Sequence, residues 1–263
     1  MLIGLNSFGA GCQYKHLPVS ALMYADDIIL ISASVIDAQR LIDFCLGCLK
    51  LIDLKVNPGK SYWIRVGPRF NQPCSNLFIG ETSINCSPEI VYLGSTLTSG
   101  SKFSFSCDSN KIKFFRNANK IFSKIGTSNP PVLIKLMESY CLSALLYNLE
   151  VFDLSKNCLN SLNFAWNRMM MKILKTSNIE NINFSLYNFG QLPLDLKLLI
   201  RKTRHLTKLL LTGDDNLLIF SLRDVIAQDK QKTIDLWCTL GDNLKYPCVT
   251  EAWMVFYQQL SDS

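Results

Sequence analysis

The sequence predicts an α+β protein: a small antiparallel sheet with a packed helix, followed by an all-α region. Three observations carry that expectation. Up to about residue 100, short β-rich runs alternate with Gly and Pro breaks, and one stretch alone has helical periodicity. Beyond Gly100 the strand signals fade and long stretches of helical period follow one another. With 263 residues and 48% hydrophobic composition, the chain can bury a sizeable core in one large or two ordinary domains. The expected divisions are 1–100 (sheet and helix), 101–212 (basic helices) and 213–263 (a C-terminal helical segment).

The elements follow in order. LPVSALMY (17–24) alternates as a strand, IILIS (28–32) is a β-rich run, and Ala25, Asp26 and Asp27 lie between them as a hairpin tip. From Ser34 the period changes, and Leu41, Ile42, Cys45, Cys48, Leu49 and Ile52 fall on one helical face. The helix ends before VNPGK, where Pro58 and Gly59 make a turn. SYWIRV (61–66), NLFIG (76–80) and IVYLGSTL (90–97) read as short strands. Helices are expected over 109–125, 130–152, 155–175 and 192–211. Asp108 or Ser109, Pro130 with Pro131, and Ser155 supply their start signals. The remainder reads as two or three short helices.

Net charge becomes informative once it is divided along the chain. Residues 1–100 carry 7 basic and 7 acidic side chains, 101–212 carry 16 and 6, and 213–263 carry 4 and 8. A central block of +10 points to a polyanion partner, because Lys and Arg near phosphates release condensed counterions. The plainer reading is a solvated helical surface that happens to be basic. Ten cysteines without regular spacing fit a reducing, intracellular compartment, nuclear or cytoplasmic. No apolar run is long enough to span a membrane, and no secretory signal follows Met1.

Adjacent carboxylates repel, and burying either costs several kcal/mol without a cation or donor. Asp26 and Asp27, flanked by apolar runs, make sense around a divalent ion such as Mg²⁺, which takes carboxylate oxygens and leaves room for substrate phosphates. The alternative is a turn that merely uses acids. A second pair, Asp214 and Asp215 in TGDDN, lacks β-rich flanks and reads as a loop or helix cap. Cys45 and Cys48 form CLGC, but His16 and His205 are not placed to complete a zinc site, so core packing is expected. The Met169 to Met171 run and Trp166 likewise read as helix packing.

Tyr24-Ala25-Asp26-Asp27 between two apolar strands resembles the catalytic box of reverse transcriptases. LKVNPGKSYWIRV (54–66), with Asn57 and Lys60, looks like the palm motif that follows it in that family. VYLGSTL (91–97) is similar to the primer-gripping hairpin, with Leu93 and Gly94 at its centre. SYCLSALLYNLEVF (139–152), NFAWNRMMMKIL (163–174) and FGQLPLDLKLLIRKTRHLTKLL (189–210) resemble the thumb and connection of enzymes encoded by non-LTR (LINE) retrotransposons. The resemblance covers about residues 15–212 and implies a partial polymerase palm followed by an all-α thumb and connection.

It further implies RNA-directed DNA polymerase activity, with Asp26 and Asp27 as catalytic Mg²⁺ ligands. Lys60 would reach the incoming nucleotide's phosphates, against the reading of a solvated turn residue, and Tyr24 the primer end, against a place in the core. The partners implied are an RNA template and a DNA primer. The family holds its metals with a third carboxylate on an earlier strand, and no carboxylate precedes Asp26. The expectation is therefore a fragment, degenerate insertion or incomplete gene model, inactive alone. The runner-up is a non-catalytic nucleic-acid-binding or co-opted interaction protein, and a third reading is an unrelated α/β domain whose acids cap a turn. Lys111, Lys113, Arg116, Lys120 and Lys124 recur at intervals of two to four, which puts several of them along one side of a helix. Phe114, Phe115 and Phe122 would anchor its other side.

Overall fold

A computed structural model describes residues 4–5, 8–126, 129–212 and 217–242. Its architecture is mixed α and β, in two compact units, Met1–Ser106 and Cys107–Ser263. The first unit extends past residue 100 because β10 (Ser104–Ser106) still pairs with β9 (Ser95–Thr98).

In the first unit, β1 (Cys12–Tyr14) and β2 (Leu17–Val19) form one hairpin and β3 (Ala21–Tyr24) and β4 (Asp27–Leu30) a second. The predicted strand 17–24 is thus two strands broken at Ser20. That residue is buried, and its carbonyl accepts from Ile31 N–H at 2.7 Å, prolonging the β3–β4 pairing. Gly11 permits the approach, since a Cβ there would lie 1.9 Å from the Ser20 hydroxyl oxygen.

Helix α1 (Val35–Lys50) starts where Ser34 accepts from Asp37 N–H at 3.0 Å, and Asp37 accepts in turn from the Ser34 hydroxyl at 2.7 Å. It buries Leu41, Cys45 and Leu49 against Leu5, Ala10 and Ala21, with Ile28, Leu30, Phe44 and Val56 around them. Cys45 is therefore core, as expected, with Cys48 partly covered. Ile52 is not: the helix has already ended, and Ile52 is 60% exposed.

The sheet differs from a single antiparallel one. Strands β5 (Tyr62–Trp63), β7 (Thr82–Cys86) and β6 (Leu77–Ile79) form one small sheet in which β5 and β7 run parallel. Only two residues of SYWIRV pair there, although Val66 makes a further bridge to Gly100. Gln39 of α1 ties itself to β6 by accepting from Phe78 N–H at 2.8 Å and donating to its carbonyl at 3.0 Å. The run read as one strand over 90–97 is a hairpin, β8 (Glu89–Tyr92) and β9, with β10 on its far edge.

The second unit is helical. Helix α2 (Asp108–Ile125) buries Asn110, Phe114, Ala118 and Phe122 at successive turns. Helix α3 begins at Pro130, capped by Asn129, which accepts from Val132 N–H. It runs to Leu145 rather than 152, and Met137–Leu142 within it are wound as a π-helix. A 3₁₀ turn, Leu149–Val151, follows. Helix α4 (Lys156–Leu174), capped by Ser155, buries Leu162, Ala165, Trp166, Met169, Met170 and Ile173. Trp166 and two of the three clustered methionines are thus packing residues, as read from their spacing.

Helix α5 (Ile179–Asn188) went unforeseen, and α6 (Leu194–Thr212) lies where a helix was expected. In place of several short helices, one 26-residue helix, α7 (Leu217–Asp242), packs along α6. Asp214 and Asp215 lie outside the described residues, as does everything after Asp242.

Candidate nucleic-acid interface

The Asp-Asp pair sits at the end of β3–β4. Tyr24 pairs with Asp27, so Ala25 and Asp26 make a two-residue turn, with Ala25 at φ 52°. All four residues are exposed, Tyr24 at 64%. This corrects the expectation of buried carboxylates and removes the alternative place for Tyr24. The apolar neighbours do not enclose the carboxylates, so no burial cost demands a cation, and Tyr24 is not a core residue. A two-stranded hairpin leaves much of its surface in water, and Leu22 and Met23 beside the tip are 38% and 37% exposed.

Among the described residues no group of three or more His, Cys, Asp or Glu side chains could hold a metal ion. Asp26 and Asp27 alone do not complete the three-carboxylate set that the resemblance implies. Left-handed backbone at a non-glycine residue costs about 1 to 2 kcal/mol. Replacing Ala25 with Gly is therefore expected to raise the urea unfolding midpoint by the equivalent of about 0.5 kcal/mol, after the entropy of a more flexible unfolded chain is deducted. An unchanged or lower midpoint would count against strain at this turn.

Lys60 ends a 3₁₀ turn, Pro58–Lys60, which Asn57 caps by accepting from Gly59 N–H at 2.9 Å, and its side chain is exposed. Leu93 and Gly94 form the turn between β8 and β9, with φ of 45° and 80°. Tyr24, Asp26 and Asp27 thus share one tip, while Lys60 and the Leu93–Gly94 pair each occupy a turn of their own.

Helix α2 separates its cations. At about 100° per residue, Lys113, Arg116, Lys120 and Lys124 lie opposite the Phe114–Ala118–Phe122 stripe, whereas Lys111 falls beside it. Arg116, Lys120 and Lys124 are exposed and make no ion pair among the described residues. The Lys113 ammonium lies 5.9 Å from the Tyr147 ring centroid. Lys111, expected to face nucleic acid, instead turns inward, 2.7 Å from both Asp108 and the Ser161 hydroxyl. The Asp108 hydrogen bond raises its pKa against the opposing effect of burial. Phe114 and Phe122 are buried, and Phe115 is partly covered with its ring edge-on to Phe114 at 5.4 Å.

The cations of α6 have protein partners that sequence reading missed. Lys197 binds Glu138 at 2.7 Å, Arg201 binds Glu150 at 3.2 Å, and Lys202 binds Asp153. These pairs span tens of residues, so helical periodicity carries no signal for them. They spend part of the +10 block internally, whereas Arg116, Lys120 and Lys124 on the outer side of α2 stay open. Among the described residues no helix is long and apolar enough to cross a membrane. No protein-family model, no curated protein and no solved structure matches the chain.

Proposed function

We propose that the chain is a palm-and-thumb-like portion of a non-LTR retrotransposon reverse transcriptase, and that by itself it holds an RNA–DNA duplex without polymerising. The observation that carries the binding half is the outer side of α2, where Arg116, Lys120 and Lys124 are exposed and unpaired among the described residues. A helix with that spacing can lie along a phosphate backbone, its contacts driven by charge and shape rather than base edges.

The ancestry rests on the ordered series of motifs. The Tyr24–Asp27 tip, the Asn57–Lys60 turn and the Leu93–Gly94 hairpin turn are followed by basic helices, and in this structure each motif falls on a turn of the first unit. Two-metal polymerisation needs a further carboxylate facing Asp26 and Asp27, and among the described residues no third acidic side chain joins them. The chain therefore requires that group from another element before it can act as a polymerase.

Fluorescence anisotropy with an RNA–DNA hybrid tests the binding half. Replacing Arg116, Lys120 and Lys124 together with Gln is expected to weaken binding at low salt roughly tenfold. The slope of log affinity against log salt should fall by about 2 to 3, as three lost phosphate contacts require. Absence of binding by the native chain at low salt sinks this half. Primer extension with Mg²⁺ tests the other: synthesis abolished by Asp26→Asn would show a competent polymerase and overturn the inactive reading.

A further inference from the structure

Helix α4 turns one face to solvent between two neighbours. Its Ser161 hydroxyl accepts from Lys111 at 2.7 Å, and its Lys172 ammonium lies 4.3 Å from the Phe122 ring centroid, so one flank rests on α2. On the other flank the Asn163 amide donates to Asp195 of α6 at 2.8 Å. At about 100° per residue, Phe164 and Arg168 fall in the arc between those flanks. Both are exposed, Phe164 at 63%. The helix buries Leu162, Trp166, Met169, Met170 and Ile173, yet leaves this one ring in water.

The same face carries charge of one sign. Helix α4 contains Lys156, Arg168 and Lys172 but no Asp or Glu. The Arg168 guanidinium lies 6.0 Å from the Phe164 ring centroid, within reach of a cation–π contact. Lys172 follows one turn on and Lys175 closes the helix, both exposed. Arg168, Lys172 and Lys175 have no acidic partner among the described residues. From Phe164 to Lys172 the face runs about 12 Å along the helix axis.

We propose that this face of α4 binds single-stranded nucleic acid, a base stacking on Phe164 while Arg168 and Lys172 take phosphates of the same strand. An open aromatic ring among cations suits a single strand, because its unpaired bases offer their faces, whereas the bases of a duplex are stacked on one another. Stacking of this kind tolerates any base, so the site has no strong sequence preference. It is separate from the duplex-binding side proposed for α2 but adjoins it. The Lys172–Phe122 contact joins the last turns of the two helices, and Lys124 stands in that turn of α2. A strand running out of a duplex on α2 can continue onto α4 there.

Fluorescence anisotropy of the full chain at low salt tests it, with an oligouridylate of about 12 nucleotides and a blunt RNA–DNA hybrid as separate probes. Phe164→Ala is expected to weaken oligouridylate binding roughly tenfold and to leave hybrid binding within about twofold, while Phe164→Trp keeps both. On an abasic strand of the same length, which retains the phosphates but offers nothing to stack, Phe164→Ala should make no difference. Arg168→Gln combined with Lys172→Gln should lower the slope of log affinity against log salt for the single strand by about 1.4, as two lost phosphate contacts require. The proposal is overturned if the native chain does not bind the oligouridylate, or if Phe164→Ala, with native circular dichroism, binds it unchanged. An equal loss on the abasic strand or on the hybrid overturns it too, since neither presents an unpaired base. Failure of hybrid binding alone would sink the reading of α2 and leave this one standing.

Discussion

Asn110→Asp is expected to cost the second unit about 3 to 5 kcal/mol, the range for leaving a buried charge without a partner. Asn110 is 4% exposed, and its side-chain amide donates to the carbonyls of Leu145 at 3.2 Å and Tyr147 at 2.9 Å. Those carbonyls lie at and just past the end of α3, where a helix runs out of its own donors. The amide thus closes the end of one helix from the buried face of another. A carboxylate in its place offers no donor and brings negative charge against two carbonyl oxygens. Protonation relieves the charge but supplies one hydrogen where two bonds are needed. Asn110→Leu, which removes the donors without adding charge, should cost less, about 1 to 3 kcal/mol. Urea unfolding of both variants distinguishes the effects. If Asp were no worse than Leu, the burial argument would fail.

Asn110 also shows what sequence can and cannot reveal. Its position, four residues before Phe114 on the apolar stripe of α2, is visible in the helical period, but nothing local says that a polar residue there reaches carbonyls 35 and 37 positions away. Local rules worked where local physics decides. Ser155 caps the helix it was expected to start, the helical period begins just after Ser34 as read, and Leu41, Cys45 and Leu49 face the core as their spacing requires. The pattern could have said more about α2, since Lys111 falls on the Phe114–Phe122 side at 100° per residue while Arg116 does not. The parallel β5–β7 pairing and the strand Thr82–Cys86 were hidden because short, polar-rich strands take their partners from tertiary context rather than from alternation. At the Asp26–Asp27 tip the turn was legible between its apolar flanks. Its exposure was not, because a hydrophobic strand implies burial only when something covers it, and Met23 and Tyr24 remain in water.

Glu138→Ala is expected to destabilise the second unit by about 1 to 2 kcal/mol, through Lys197 rather than through Glu138 itself. The Lys197 side chain is only 13% exposed, and its ammonium donates to Glu138 at 2.7 Å and to Gln191 at 2.6 Å, with the Trp166 ring 5.7 Å away. Removing the carboxylate leaves that charge with one neutral partner in a poorly solvated place. The estimate stays below the range for a fully buried pair because Glu138 is 36% exposed and water screens it. Glu138→Gln should cost less, since its carbonyl oxygen still accepts from Lys197. Acid should reproduce the effect. Burial alone would raise the Glu138 pKa, but the Lys197 and Gln191 hydrogen bonds and the Lys197 charge outweigh it and hold the carboxyl below its ordinary value of 4.5. A group depressed by folding contributes stability that is present above its unfolded pKa and lost as pH falls through the folded one. The native chain should therefore lose stability below about pH 4.5 more steeply than Glu138→Ala does, and the two curves should converge at lower pH. Parallel curves across that window would mean that the pair contributes nothing, and that Lys197 is held by Gln191 and Trp166 alone.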